Sequence, residues 1–221
     1  MKRTVSLLLT AIFLLSLCCS MLTSCAPTPE VEDLYDRVVY LIEEATEINT
    51  VIFGPGVPVY EKESEYVILR NIYFDFSQTS KYEKVTPYTK FYTVEQIKAR
   101  AEKVYSRAYL EEVVYKTLFD GYAIEDGQGG AAYGFARYQT FGNDFCMSSD
   151  DDENGNDKNV KYTATRTYDY STMEVLSLGR EDACRVKINS WLDSSPERVE
   201  AVEISLILQD GQWYLDSFTG A

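Results

Sequence analysis

After Gly121 the helical period leaves the chain and does not return. Before it, apolar residues recur at three- and four-residue spacings. Val31, Leu34, Val38, Leu41, Ile42 and Ala45 mark one helix over Glu30 to Glu47. Thr28 is its expected cap and Pro29 its first residue, with Glu30 and Glu32 favouring the positive end. Thr93-x-x-Gln96 is a capping box, and it opens a second helical region with Val94, Ile97, Ala101 and Val104 on one stripe. Ser106 caps a further helix with Leu110, Val113, Val114 and Leu118 inward, ended by Asp120-Gly121. Between the helical regions, Gly54-Pro55-Gly56 reads as a turn and Val57 to Phe76 as strand. Tyr82 to Tyr92 reads as a short edge strand because of Pro87.

Beyond Gly121 every patterned segment reads as strand: Tyr133 to Phe145, Val160 to Tyr168, Thr172 to Leu178, Cys184 to Trp191, Val199 to Leu208 and Trp213 to Phe218. Asp210-Gly211 is a two-residue hairpin signal. Helices followed by a run of strands predict an α+β fold, with N-terminal helices packed on a curved antiparallel β-sheet.

The first residues say where such a domain works. Lys2 and Arg3 precede an apolar run from Val5 to Leu17, too short to span a bilayer as a stable helix. The run leads to Leu22-Thr23-Ser24-Cys25, which resembles the bacterial lipoprotein cleavage box. That resemblance implies a signal peptide over residues 1–24 and a diacylglyceryl group on Cys25, with residues 25–30 as lipidated cysteine and short tether. Two acyl chains suffice for stable anchoring. The remainder, residues 31–221, is expected to be a single domain with a loop-rich insert near 122–159. The expected location is extracytoplasmic, on the membrane.

Composition narrows the chemistry. The chain has no histidine, which removes Ser-His-Asp and Cys-His catalysis and the common zinc ligand sets. Its formal net charge is −14, which repels nucleic acid and suits a cationic partner or divalent cations. The same charge also reads as a soluble, self-repelling surface. Eighteen tyrosines suit stacking on sugars or peptides, or an amphipathic sheet surface. Beyond the leader and Cys25, only Cys146 and Cys184 remain. Outside the cytoplasm they could form one disulfide, worth about 4 kcal/mol on a loop-entropy estimate. Two independent buried thiols are the alternative.

Three motifs bear on ligands. Asp150, Asp152 and Asn154, followed by Gly155 and Asn156, match the first half of a calcium loop, with oxygen ligands on alternate residues. The twelfth position is Lys161 where a bidentate Glu is needed. The segment therefore reads either as a solvated acidic loop or as a weak calcium site. Gly127-x-Gly129-x-x-Ala132 fits a dinucleotide fingerprint in letters only, because a strand pattern follows it. No Walker-type Gly-Lys-Ser/Thr occurs. Carboxylate pairs could run a glycosidase, but spacing alone selects none among 35 acids.

Two segments carry a family resemblance. Val202 to Thr219, ending Leu208-Gln209-Asp210-Gly211-Gln212-Trp213-Tyr214-Leu215-Asp216, resembles the last hairpin of NTF2-like (cystatin-like, cone-shaped) domains. Tyr82 to Gly121, with Thr93, Ile97, Tyr105-Ser106, Tyr109-Leu110, Phe119 and Gly121, is similar to secreted and lipid-anchored proteins of the DL-endopeptidase inhibitor-like group. The resemblance implies a concave pocket between helix and sheet and a namesake activity of blocking cell-wall cysteine endopeptidases. It carries no inhibitory residue across. The expected function is a membrane-anchored binding or regulatory module whose partner is a cell-wall enzyme or wall component. The alternatives are a carboxylate-based enzyme on extracellular glycans or small molecules, and a calcium-dependent adhesion module. An enzyme should show a carboxylate with a raised pKa beside another acid.

Overall fold

The computed structural model describes residues 28–60, 66–70, 79–120, 122–125, 131–134, 136–149 and 164–220. Its longest helix, α1 (Val31–Ile52), buries the predicted stripe of Leu34, Val38, Leu41, Ile42 and Ala45. The stripe runs one turn further than its polar neighbours suggest, through Ile48, Val51 and Ile52. Each such side chain withdrawn from water contributes about 1.5–3 kcal/mol. Glu30, not Thr28, is the N-cap, and its side chain caps nothing. Glu32 and Asp33 in the first turn supply the favourable charge at that end.

The C-terminal end of α1 is finished from far away. The Arg137 guanidinium donates to the carbonyls of Ile52 (2.9 Å) and Gly54 (2.6 Å). The Tyr138 hydroxyl donates to Val51 O (2.9 Å). Arg137 is fully buried, a cation set where a helix leaves its carbonyls unpaired and its dipole negative. Gly56 turns the chain here with φ +88°, and a Cβ on it would stand 2.2 Å from Met147 Sδ.

Two antiparallel sheets and a small ribbon follow. β1 (Tyr66–Arg70), β2 (Thr79–Lys84), β5 (Tyr138–Phe141) and β6 (Asp144–Ser149) lie in the order β1-β2-β6-β5. β2 is therefore an interior strand, correcting its expected edge position. Pro87 falls beyond it, in a turn where no ladder donor is needed. The expected continuous strand over Tyr133 to Phe145 is broken. Its first part belongs to the ribbon β3–β4 (Tyr122–Glu125, Ala131–Gly134), and the rest becomes β5, a turn at Gly142 (φ +65°) and β6. The stretch expected to be a loop-rich insert thus supplies two strands of the first sheet.

The second sheet is a meander in the order β10-β9-β8-β7, from β7 (Arg166–Ser177), β8 (Ala183–Leu192), β9 (Ser195–Gln209) and β10 (Gln212–Leu215). Residues 160–163 of the expected strand Val160 to Tyr168 lie outside the described residues. Its end, Arg166 to Tyr168, and the expected strand Thr172 to Leu178 fall in β7, with a register shift between Asp169 and Glu174. There the Asp169 carboxylate accepts from the Ser171 N–H (3.1 Å) and hydroxyl (2.6 Å). A second shift between Ser190 and Leu192 adds to the curvature. Asp210 (φ 52°) and Gly211 (φ 78°) make the predicted hairpin turn. Cys184, Val186 and Ile188 of β8 point inward while Arg185 and Lys187 face out.

The sheet curls around α1. Arg37 donates to the carbonyl of Trp213 on β10 (2.8 Å). On the opposite edge, Glu43 and Tyr35 lie near the Tyr170 phenol of β7. The architecture is α+β, helices against a curved antiparallel sheet, and one hydrophobic core draws on both sheets. Among the described residues no helix is long and apolar enough to cross a membrane.

α2 (Val94–Ala101) begins at Thr93, whose hydroxyl accepts from Gln96 N (3.2 Å). The return bond of the box reaches one residue further back, from Tyr92 N to Gln96 Oε1 (2.6 Å). Val104 to Ser106 then runs beside β10 as a parallel extension: Leu215 N donates to Val104 O (2.9 Å) and Ser106 N to Leu215 O (2.8 Å). Ser106 caps the short α3 (Arg107–Tyr109), accepting from Tyr109 N (3.0 Å). The helix continues as a π-helix, π1 (Leu110–Asp120), burying Leu110, Val114 and Leu118 as expected and leaving Val113 half-buried.

Cys146 sits on β6 and Cys184 on β8, in different sheets, and both are buried free thiols. In this structure no disulfide joins them. Each thiol fills core space as a small apolar group.

Candidate functional site

Two concavities among the described residues bear on the expectations, beside a shallow groove of about 420 Å³ between Thr28–Val31 and Met173–Ser177. The first lies inside the cone, between the end of α1 and the inner face of β7. It is closed by its own hydrogen bonds. Tyr105 donates to Asn49 Oδ1, Asn49 Nδ2 donates to Thr219 Oγ1 (3.2 Å), and the Tyr168 hydroxyl donates to Thr219 O. Phe218 packs edge-on against Phe53, centroids 4.8 Å apart. Arg166 at its margin is held by Ser190 Oγ (2.8 Å) and by Glu200 (3.8 Å). The cavity that remains beside Asn49 is about 30 Å³, room for a water and no larger ligand. Beside it, an open groove of about 320 Å³ is lined by Arg166, Tyr168, Glu203 and Phe218.

The second is an open groove of about 380 Å³ where three elements meet: the joint between α2 and α3, the start of π1 and the tip of the β9–β10 hairpin. The ladder between Val104–Ser106 and Leu215 brings them together. Tyr105, Tyr115 and Tyr214 wall the groove, and Glu102, Glu111 and Asp210 charge it. Arg107 reaches the rim and pairs with Asp210. The Tyr115 hydroxyl donates to Glu102 Oε1 (2.8 Å). Burial first, then that carboxylate, pushes the Tyr115 phenol above its ordinary pKa, so the ring stays neutral. Tyr105 stacks on Tyr109 (4.9 Å), whose phenol burial lifts to about 12 with the help of Asp216.

The outer rings are buttressed by cations of the chain. Lys98 lies 5.0 Å from Tyr115 and 4.9 Å from Phe119. Arg37 lies 5.2 Å from Tyr40 and 5.3 Å from Tyr214. Each such contact favours the observed ring position by about 0.5–1 kcal/mol.

The residues singled out in the sequence fall elsewhere. Cys25 and the calcium candidates Asp150, Asp152, Asn154 and Asn156 lie outside the described residues. Ala132 of the formal dinucleotide fingerprint sits in β4, a strand where that fingerprint needs a helix. Among the described residues no cluster of acids, cysteines and histidines has metal-binding geometry. The resolved carboxyl shifts run downward. Lys90, by a hydrogen bond, and Arg100 hold Glu47 below the usual carboxylate range against opposing burial, and Arg180 does the same for Asp182. A general acid needs the opposite shift.

Sequence reasoning placed the turn at Asp210 and the cap at Ser106, but it did not select Glu102, Glu111, Tyr115 or Tyr214 as one site. The usable signal was the hairpin tip: an Asp-Gly turn between strands must end in solvent, and its acid faces whatever packs against the strand edge. No protein-family model matches the chain, and no curated protein sequence matches it.

Proposed function

We propose that the protein is an extracytoplasmic binding module, held at the membrane through a lipidated Cys25, that binds and regulates a cell-wall enzyme. The observation that carries this reading is the open groove, lined by tyrosine rings and three carboxylates on a chain of net charge −14. Such a surface attracts basic proteins over several ångströms and speeds their docking. The family resemblance of Tyr82 to Gly121 supports the same choice of partner.

The test is capture and inhibition. The full chain, reconstituted in liposomes, is exposed to a detergent extract of envelope proteins, with and without calcium. The expected outcome is retention of a cell-wall hydrolase whose activity falls on binding, equally in both conditions. Retention of no wall enzyme, or capture without loss of activity, would overturn the regulatory reading. Capture only with calcium would move the contact to the acidic segment Asp150 to Asn156.

A further inference from the structure

The groove is a site with a charge preference, and its rim already holds a cation. We propose that it receives a lysine or arginine side chain from a polypeptide partner, and that Arg107, paired with Asp210 at the rim, is an internal competitor for that incoming cation. This rests on the binding-module reading above.

Size and charge select the occupant. A volume of about 380 Å³ is near the low end of ordinary ligand pockets (about 300–1,000 Å³), which suits one long side chain entering from a surface. Three carboxylates face one guanidinium, and that guanidinium is matched to Asp210. Glu102 accepts one hydrogen bond from Tyr115, and a carboxylate can accept about four. Two acids thus retain capacity toward an incoming ammonium or guanidinium. The rings contribute a shaped apolar channel for the aliphatic stem, since lysine and arginine bury their methylenes and keep the charge at the polar end. The main attraction comes from the acids, because Tyr115 and Tyr214 already have cations of the chain beside them.

Arg107 behaves like a bound ligand that the chain supplies to itself. Its side chain is 73% exposed and that of Asp210 is 74% exposed, so the pair is solvated and weak. An incoming cation that also contacts Glu111 can displace it at little cost. Arg107 therefore lowers the affinity for any incoming cation by a small factor, and basic segments gain over single basic residues through repeated encounters.

The experiment measures binding of a fluorescent (Ala-Lys)5 peptide to the full chain in liposomes by anisotropy, with an (Ala-Glu)5 peptide as control. Glu111→Gln and Asp210→Asn should each weaken binding about two- to fivefold, the range of an exposed ion pair. Asn tolerates the left-handed backbone at position 210 (φ 52°), so that variant keeps the turn. Arg107→Gln should tighten binding by a similar factor, a gain that misfolding cannot produce. Unchanged or weakened binding in Arg107→Gln overturns the proposal, as does equal binding of the Glu peptide. If the Lys peptide binds wild type, Glu111→Gln and Arg107→Gln alike, the groove assignment falls and the binding-module reading stands. If neither the peptide nor any envelope protein binds, both fall. Competition by free lysine at the same concentration as the peptide would assign the groove to small amines and overturn the polypeptide occupant.

Discussion

Cys184 is in the middle of the second sheet, and burial raises its thiol to about 11. Burial, with Asp144, also raises Cys146. Neither thiol should react with a maleimide at pH 7 in the native chain, and both should react once it is denatured, without reductant. Failure of either to label in denaturant would mean a disulfide. The raised pKa has a consequence for stability. A folded-state value above the unfolded one, about 8.5, means the stabilisation is complete below that value and is lost as pH rises from there toward 11. Denaturation midpoints should therefore fall between pH 9 and 11, and fall less steeply in Cys184→Ala measured against its own pH 7 value. Glu47 acts at the other end. Its carboxyl is lowered, so its contribution is present above the unfolded value and disappears as pH drops through the folded one.

Elements were legible where a local signal sufficed. The Thr93 box and the Ser106 cap are chemistry within four residues, and both form. Thr93→Ala should cost about 1 kcal/mol in urea denaturation, with Ser at that position restoring most of it. The strands around Gly142 were not legible, because Tyr138, Phe145 and Met147 face the core in two different strands and read as one apolar run. A turn in such a run is signalled only by Gly142-Asn143, which an isolated strand also tolerates as a bulge. The π-winding of π1 had no sequence signal, since the residues it buries suit an α-helix equally. The groove was the least legible: its acids come from positions 102, 111 and 210, brought together by the β10 ladder to Val104–Ser106 and by the contacts of Arg107 with Gln209 and Asp210.

The molecule is tied together by Arg137. It belongs to the segment entering β5 of the first sheet, yet it completes the helix on which the second sheet curls. Replacing it with Leu leaves the carbonyls of Ile52 and Gly54 buried without that charged donor. The loss should be about 2–4 kcal/mol, judged from hydrogen bonds to charged groups. The loss should appear as a lower midpoint of one shared transition, read by circular dichroism and by tryptophan fluorescence of Trp191 and Trp213. Two separated transitions in the parent chain would show that the sheets unfold independently.

The first turns of α1 reach the wall of the groove, since Arg37 follows Val31 by six residues and lies over Tyr214. That is about 9 Å along the helix axis. With Cys25 in the bilayer as proposed, the five residues from it to Glu30 add at most about 18 Å. A groove held so near the lipid surface would sample its partners by lateral diffusion. It would favour basic segments that are themselves adjacent to the membrane over enzymes deep in the wall, so the anchor would choose among partners as well as fix a location.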